Sequence, residues 1–478
     1  MSRVTGNISA PGAVPAVLLA LALGGCALGG SGGAAPEPGV AIPQEWSVQG
    51  PADAAFDETV YWQALQDPVL TELVEAALSD NLDIAQAATR LTQAREGLAQ
   101  ARAGYLPQLS ASGGASRAVG DGADNDINIS LGADVSWELD LFGRIGSSAR
   151  AARFDYEAAG YSLADLHRAI AGQVAQQVIS ARSTALQLAI ARDTLAIQDE
   201  NLQIARWREQ AGLVSSLDVQ QARSQRAQTS ASIPLLESNL AATANAISTL
   251  IGEPPGRVAV LLADPTPIPE PPALGGLATP AELLRRRPDV RVAEAYLLSD
   301  TARIGVARAD LFPLLRLSGN IGTSDAGPLA LFDVVSGTVA ASINQLLFDG
   351  GRTQSRIRAA EALAEGSLAG WRKSILLALE EVESAIAARR AADARVVDFA
   401  EALDAAENAA ILARSQYQAG LTDFQTLLSA ESQLLSARNG LASAQADRAS
   451  AFIRLTQALG GGWSPEEWAD GPDNRNTP

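Results

Sequence analysis

Residues Ile127 to Leu141 read INISLGADVSWELDL. Apolar side chains stand at Ile127, Ile129, Leu131, Ala133, Val135, Trp137, Leu139 and Leu141, with polar residues or glycine at Asn128, Ser130, Gly132, Asp134, Ser136, Glu138 and Asp140 between them. Side chains alternate faces along a strand, so a period of two predicts one oily face and one hydrophilic face. Two structures accommodate that pattern: a half-buried strand of a soluble sheet, or a stave of a membrane barrel with lipid on one side and water on the other. The rest of the chain bears on the choice.

The strand is followed by Phe142-Gly143-Arg144 and a helical run rich in Ala, Gln and Leu, and the same event recurs where Thr338 to Phe348 leads through Asp349-Gly350-Gly351 into Arg352 and a second such run. Phe348 follows Phe142 by 206 positions, and Arg352 follows Arg144 by 208. The larger offset then holds, since Ala211-Gly212-Leu213 returns as Ala419-Gly420-Leu421 and Gln225 as Gln433. Upstream the offset is 206: Leu82-Asp83-Ile84 meets Pro288-Asp289-Val290, and Tyr105-Leu106-Pro107 meets Leu311-Phe312-Pro313. The chain is therefore a duplication of helix, strand, strand, long helix, turn and long helix, with a period far too long for a solenoid.

The formal net charge is -18, from 36 basic and 54 acidic residues. No basic cluster exists to track phosphates, which argues against a nucleic-acid partner. At the N-terminus Arg3 and an apolar run from Ala13 to Leu23 precede Gly24-Gly25-Cys26, a short h-region of the secretory type. Cys26 is the sole cysteine, so no intrachain disulfide can form.

Residues 1–25 are read as a signal peptide and 26–55 as a flexible Gly-, Ala- and Pro-rich tether. The first repeat is placed at 56–252, with helical spacing from Pro68 through Ala103 capped by Asp67, then strands at Gln108 to Arg117 and Ile127 to Leu141. A Pro-rich connector, too rich in proline to be helical, is placed at 253–280, the second repeat at 281–462 and a polar tail at 463–478. The second hairpin is expected at Leu314 to Gly322 and Thr338 to Phe348. The long helices are expected at Gly146 to Gln210, Leu217 to Ile251, Thr353 to Gln418 and Phe424 to Leu459. Leu188, Leu195 and Leu202 repeat at seven, as do Ile190, Ile197 and Ile204. Two positions turn a helix by roughly 200°, so these seams lie on nearly opposite faces, as in the wall of a tube. Tyr105, Trp137, Phe142, Phe312 and Phe348 all fall where strands meet helices, the place of an interfacial aromatic girdle.

Nothing forms a catalytic constellation. His167 is the lone histidine and reads as a helix surface residue, and Met1 is the lone methionine, so neither an enzyme nor a metal or cofactor site is expected. The residues preceding and including Cys26 resemble a bacterial lipobox, in which the cysteine is diacylated, and Ala27 after it implies transfer to the outer membrane. Together with the duplicated hairpin and helix units, the Ala-Gly-Leu turns and the ending Ala458 to Trp463, the chain resembles the TolC-like outer membrane factors. Within them it is most similar to the lipoprotein branch that serves resistance-nodulation-division efflux pumps.

That resemblance implies a mainly α fold with a β-barrel portion: a homotrimer in which each chain gives four strands to a twelve-stranded outer-membrane barrel above a periplasmic helical tube. It implies a channel exporting small molecules delivered by an inner-membrane pump and a periplasmic adaptor, lodged in outer membrane lipid. The adaptor would meet the tips at Gly212, Leu213, Val214, Gly420, Leu421 and Thr422. Family members often carry gate acids at positions matching Thr426 and Ser429. Here the nearby acids are Asp423 and Glu431, with Asp218 in the first copy matching Thr426. Other readings are the exit duct of a type I secretion system, or a non-conducting periplasmic coiled-coil lipoprotein.

Overall fold

The computed structural model describes residues 37–47, 58–117, 119–120, 127–273, 279–326 and 334–463. Cys26, the hairpin turn at 121–126 and the tail beyond 463 lie outside the described residues. The chain divides into two units, one made of 1–39, 91–159 and 292–372, the other of 40–90, 160–291 and 373–478.

In chain order, a 3-10 helix at Glu58–Leu65 precedes α1 (Pro68–Asp80), α2 (Leu82–Ala103), β1 (Gln108–Arg117) and β2 (Ile127–Leu139). The first long hairpin is α3 (Arg144–Gln210) and α4 (Ser216–Leu250), followed by α5 (Arg257–Leu261), α6 (Pro280–Arg286) and α7 (Pro288–Ala309). The second copy continues with β3 (Leu314–Ala326), β4 (Val335–Asn344), α8 (Arg352–Gln418) and α9 (Phe424–Ala458). Both α3 and α8 have 67 residues, about 100 Å at 1.5 Å per residue, and both α4 and α9 have 35.

The first unit carries one antiparallel sheet in the order β1-β2-β3-β4. Its register turns the alternation seen in β2 into a property of the whole sheet. Leu109, Val135, Gly319 and Val339 lie side by side on one face, as do Ala111, Ala133, Ile321 and Gly337. Ser110, Asp134, Asn320 and Thr338 form the matching row on the other. Large and small residues interleave: a Cβ added at Gly319 would meet Val135 Cγ1 at 3.1 Å and Val339 Cγ2 at 3.9 Å. The apolar face is not a core, because Leu109, Val335, Val339 and Ile343 are exposed along it.

At the foot of the sheet, Trp137 Nε1 donates to the Tyr105 carbonyl at 2.9 Å and Phe142 stacks on Phe312 with ring centroids 4.8 Å apart. Asp140 starts α3 by accepting from the Ile145 and Gly146 amides at 3.0 and 2.7 Å. Arg144 holds Glu138 through two bonds of 2.8 and 2.7 Å.

The structure corrects several boundaries. The helical stretch from Pro68 to Ala103 is broken at Asn81, whose extended backbone ends α1 and whose Oδ1 accepts from the Asp83 and Ile84 amides to start α2. Within the Pro-rich connector, Arg257–Leu261 is helical, since its prolines flank rather than occupy that turn. Residues 37–47 of the expected tether are held in place: Trp46 is buried with Leu283, Val382 and Leu459, and the Ser47 amide donates to Glu383 at 3.0 Å. The strand ending at Phe348 stops instead at Asn344, and β2 stops at Leu139. His167 is half-buried on α3 rather than on an open surface.

The two-residue difference between the copies also moves. Gln108 pairs with Ser136, and Leu314, its duplicate at 206, pairs with Asn344, which follows Ser136 by 208. From β4 onward the offset is therefore 208, as the positive-φ pairs Gly143 and Gly351, Gly212 and Gly420, Gly252 and Gly460 also show. The insertion lies in the second hairpin, and Phe348 is the counterpart of Asp140 rather than of Phe142.

The helical unit is built around Tyr61, Leu70, Leu73, Val74, Ile179, Ile247 and Phe452. Along α3, Leu188 and Leu202 are buried and Leu195 is half-buried, while Ile190 and Ile197 on the other seam are half-exposed and Ile204 packs against the core shared by the two tips. The duplication is visible as one repeated bond. Asn81 Nδ2 donates to the Leu250 carbonyl at 2.8 Å, and Arg287, its duplicate, donates to the Ala458 carbonyl at 3.0 Å. Both satisfy a carbonyl in the last turn of a long helix. The arginine adds a charge, which Asp289 and Glu381 each take up at 2.7 Å.

Asp67 caps α1 by accepting from the Val69 and Leu70 amides at 2.9 and 3.1 Å, and it pairs with the buried Arg182 at 3.2 Å. Asp67→Ala is therefore expected to cost about 3–5 kcal/mol, the figure for stranding a buried charge, rather than the ~1 kcal/mol of a lost cap. Denaturant unfolding of the wild type and of this variant measures the difference, and a cost near the lower figure would show the ion pair to be inert.

Candidate site at the helical tips

Each long hairpin turns at an Ala-Gly-Leu sequence because the backbone must reverse there. In the first copy the Gly212 amide donates to the Glu209 carbonyl at 2.9 Å and the Leu213 amide to the Arg208 carbonyl at 2.8 Å, with Gly212 at φ +70°. In the second, Gly420 bonds to Tyr417 at 3.0 Å and Leu421 to Gln416 at 2.9 Å, with Gly420 at φ +74°. This is the paired-bond helix stop that needs a left-handed residue at its centre, and glycine is the residue that adopts it without strain. Gly212, Leu213, Gly420 and Leu421 are exposed, and Val214 and Thr422 half-exposed. Trp207 and Leu217 add exposed apolar surface beside Leu213.

The two tips pack on one another. Leu202, Ala205, Val219 and Ala222 from the first share a core with Ala413, Tyr417, Phe424 and Leu427 from the second. Arg208 fastens them, donating through Nη1 to the Tyr417 carbonyl at 2.8 Å while its guanidinium lies 4.5 Å from the centre of the Tyr417 ring. Burial pushes the Tyr417 phenol up, with Arg208 opposing and the nearby Asp218 adding to the shift. Arg208 and Tyr417 are not singled out by the sequence pattern, because a basic residue in a last helical turn is ordinary and its partner is 209 positions away.

The acids near the tips fall into three environments. Asp423 is the N-cap of α9: its Oδ1 accepts from the Thr426 amide at 2.8 Å and the Thr426 hydroxyl at 2.6 Å, which holds its carboxyl below the usual carboxylate range. Asp218, in the first turn of α4, accepts from the Ser215 hydroxyl at 3.3 Å and is half-buried. Glu431 is buried, accepting from Asn201 at 2.7 and 2.6 Å and from Arg414 at 3.2 Å, so its charge is neutralised inside the chain. Ser429 is exposed one turn beyond the capped start of α9. The structure thus joins Asp423 to Thr426 and holds Glu431, which is not among the expected gate residues, in contacts within the chain. Among the described residues no group of three or more His, Cys, Asp or Glu could hold a metal, and no helix is long and apolar enough to cross a membrane.

The duplicated architecture matches a family model described as outer membrane efflux protein, once over residues 73–253 and again over 279–461. This chain belongs to the outer membrane efflux protein family. The two matched ranges begin 206 and end 208 positions apart, the same change of offset that the sheet places in the second hairpin. The efflux protein is 31% identical over 472 residues to the toluene efflux pump outer membrane protein TtgF of Pseudomonas putida, covering 94% of this chain and 96% of that one. It is 28% identical over 443 residues to the probable outer membrane lipoprotein SilC of Salmonella typhimurium, with 90% and 95% covered. The solved outer-membrane channel OprN is similar with a TM-score of 0.82 at 33% identity, over 92% of this chain and 100% of that chain. The efflux protein is thus the outer membrane channel of an efflux system, with the helical and barrel-forming parts of that fold; the members of its family are channels rather than enzymes.

The cap geometry separates two variants of the second tip. Asp423→Asn keeps an oxygen for the Thr426 amide and is expected to leave the melting temperature of the detergent-solubilised protein near that of the wild type, whereas Asp423→Ala lowers it. Because the folded carboxyl titrates below its unfolded value, its stabilisation is present above the ordinary range, about pH 4, and is lost as pH falls through the folded value. The gap between wild type and Asp423→Ala should therefore narrow on acidification, and a gap that is constant with pH would show that the charge of the carboxylate contributes nothing to it.

Proposed function

We propose that three copies close their sheets into one twelve-stranded barrel and form the exit duct of a tripartite pump. In this reading small molecules arrive from an inner-membrane transporter through a periplasmic adaptor. The observation that carries it is the sheet: four strands, one face apolar and exposed, and, among the described residues, an unpaired edge on β1 and on β4. An apolar face of this kind suits lipid, and lipid does not tolerate the unpaired backbone groups of an open edge. The half-exposed Ile190 and Ile197 support the same assembly, since a neighbouring copy would cover them.

The exposed tips at Gly212, Leu213, Val214, Gly420, Leu421 and Thr422 are the proposed adaptor contacts. Asp218 and Asp423, with Thr426 and Ser429, are the proposed periplasmic gate, where three copies of each acid would favour cations. Acylation at Cys26 would add a membrane anchor, and the length of chain before Pro38 supports its reach. The Pro38 carbonyl accepts from Arg372 Nε at 2.7 Å. Arg372 lies 20 residues along α8 from Arg352, about 30 Å from the sheet end of that helix. The twelve residues from Cys26 to Pro38 span up to ~40 Å, enough to return to the foot of the sheet.

Planar-bilayer recording tests the duct. Val135→Arg, on the apolar face, is expected to abolish trimers and conductance, at a cost of about 2–4 kcal/mol per chain near the midplane, while Ser136→Arg leaves trimers intact. Equal loss in both variants would sink the barrel. In the same assay Asp218→Asn with Asp423→Asn is expected to lower cation selectivity, and unchanged selectivity would reduce both acids to helix caps.

Cys26→Ala should abolish acylation and weaken retention of free chains at the membrane while trimers still form. A soluble monomer would contradict both the anchor's auxiliary role and the barrel.

A further inference from the structure

The internal duplication contains a copy of an interface that a single chain cannot make. Inside the chain, β2 of the first hairpin pairs with β3 of the second, with Leu139 opposite Leu315, Val135 opposite Gly319 and Ala133 opposite Ile321. The counterpart of β2 is β4, at an offset of 208, and the counterpart of β3 is β1, at 206. Those two strands are the open edges of the sheet.

We propose that β4 of one copy pairs antiparallel with β1 of the next in the register of the internal junction, Leu347 opposite Leu109, Ile343 opposite Gly113 and Ala341 opposite Ala115. The inference rests on the trimeric barrel above and adds which residues meet.

Three observations carry it. The first is a half-filled niche. Gly319 lies between Val135 on β2 and Val339 on β4, within 3.1 and 3.9 Å of its added Cβ. Its duplicate Gly113 has Leu131, the duplicate of Val339, at 3.1 Å on one side, and its other side is the open edge of β1. The missing neighbour corresponds to Val135, whose duplicate Ile343 is 71% exposed on the opposite edge of the sheet. The second is the fate of the chain after β4. Leu347 is 91% exposed and Leu109 76%, yet their counterparts Leu139 and Leu315 face each other across the internal ladder. Pairing to a neighbour would extend β4 past Asn344 through Leu347.

The third is the stagger of the strands. Gln108 lies across Ser136 from Ser318, four residues past its duplicate Leu314. Asp134 lies across Asn320 from Thr338, four residues short of its duplicate Ser342. Both values follow from the one β2–β3 register, so the chain carries a stagger of four residues from hairpin to hairpin, and a barrel of uniform strand tilt carries the same stagger at every hairpin-to-hairpin step. The proposed seam supplies the same four residues, whereas a seam slipped by two residues either way would not. A slip by one would turn the apolar face of one copy toward the polar face of the next.

Oxidative cross-linking of double-cysteine variants in the full-length, membrane-assembled protein tests the register. Residues directly opposite on neighbouring strands lie about 4.5–5.5 Å apart, within disulfide reach, while those displaced by two lie about 7–8 Å apart. Leu109→Cys with Leu347→Cys, and Ala115→Cys with Ala341→Cys, are expected to give covalent trimers roughly tenfold more abundant than the slipped pairs Leu109→Cys with Gln345→Cys and Ala111→Cys with Leu347→Cys. Each single-cysteine variant, run alongside, reports any bridge to Cys26. Cross-linking of a slipped pair in place of the matched ones, or intact trimers with no cross-link at any pair, overturns the register and leaves the barrel standing. Monomers in detergent for the wild type and every variant overturn the trimer itself.

Discussion

An open strand edge in a lipid environment governs the rest of this molecule. Backbone amides and carbonyls have no water to bond in a hydrocarbon layer, so a sheet that presents an apolar face to lipid must close on itself. Four strands carry the right face, with Leu109, Val135 and Val339 in one row, and lack the number to close. The edges of β1 and β4, unpaired among the described residues, call for partners, which the proposed trimer would supply. The long helix α3 shows a related property: it buries Leu188 and Leu202 within the chain and leaves Ile190 and Ile197 half-exposed.

Duplication suits the proposed assembly, because each copy would supply the interface that its twin already makes inside the chain. The helical unit shows how far two copies can diverge while keeping one physical task. Asn81 and Arg287 both satisfy a carbonyl in the last turn of a long helix, but the longer, charged side chain recruits Asp289 and Glu381 in addition. At the strand to helix junctions the task is again common and the solution different. Asp140 starts α3 from two residues before Phe142, while Asp349 starts α8 from one residue after Phe348, bonding to the Gly351 and Thr353 amides at 2.9 and 2.7 Å.

At the tips, charge and capping are carried by the same residues. Asp423 is needed where it stands for the start of α9, so a carboxylate directed at a pore axis would be an additional use of a residue already engaged locally. Asp218 has the weaker local bond and sits beside the Arg208 and Tyr417 contact that ties the two hairpins. That contact makes the two tips of one chain a single packed body.

Much of this was legible in the residues. The period of two from Ile127 to Leu139 reflects a local geometric fact about strands, the Ala-Gly-Leu turns reflect the left-handed conformation that glycine adopts freely, and the offset between copies can be counted. Asp67 before Pro68 announces a helix start for the same local reason. What the sequence could not supply was anything that depends on residues far apart in the chain. Alternation leaves strand register open to any slip of two, so only the ladder between β3 and β4 located the two-residue insertion and showed that Phe348 does not correspond to Phe142. Glu431 resembles any surface acid until Asn201, 230 positions earlier, is packed against it. The break at Asn81 has the same cause, since its side chain is drawn to a carbonyl 169 positions away, and a helical pattern records only which face is apolar.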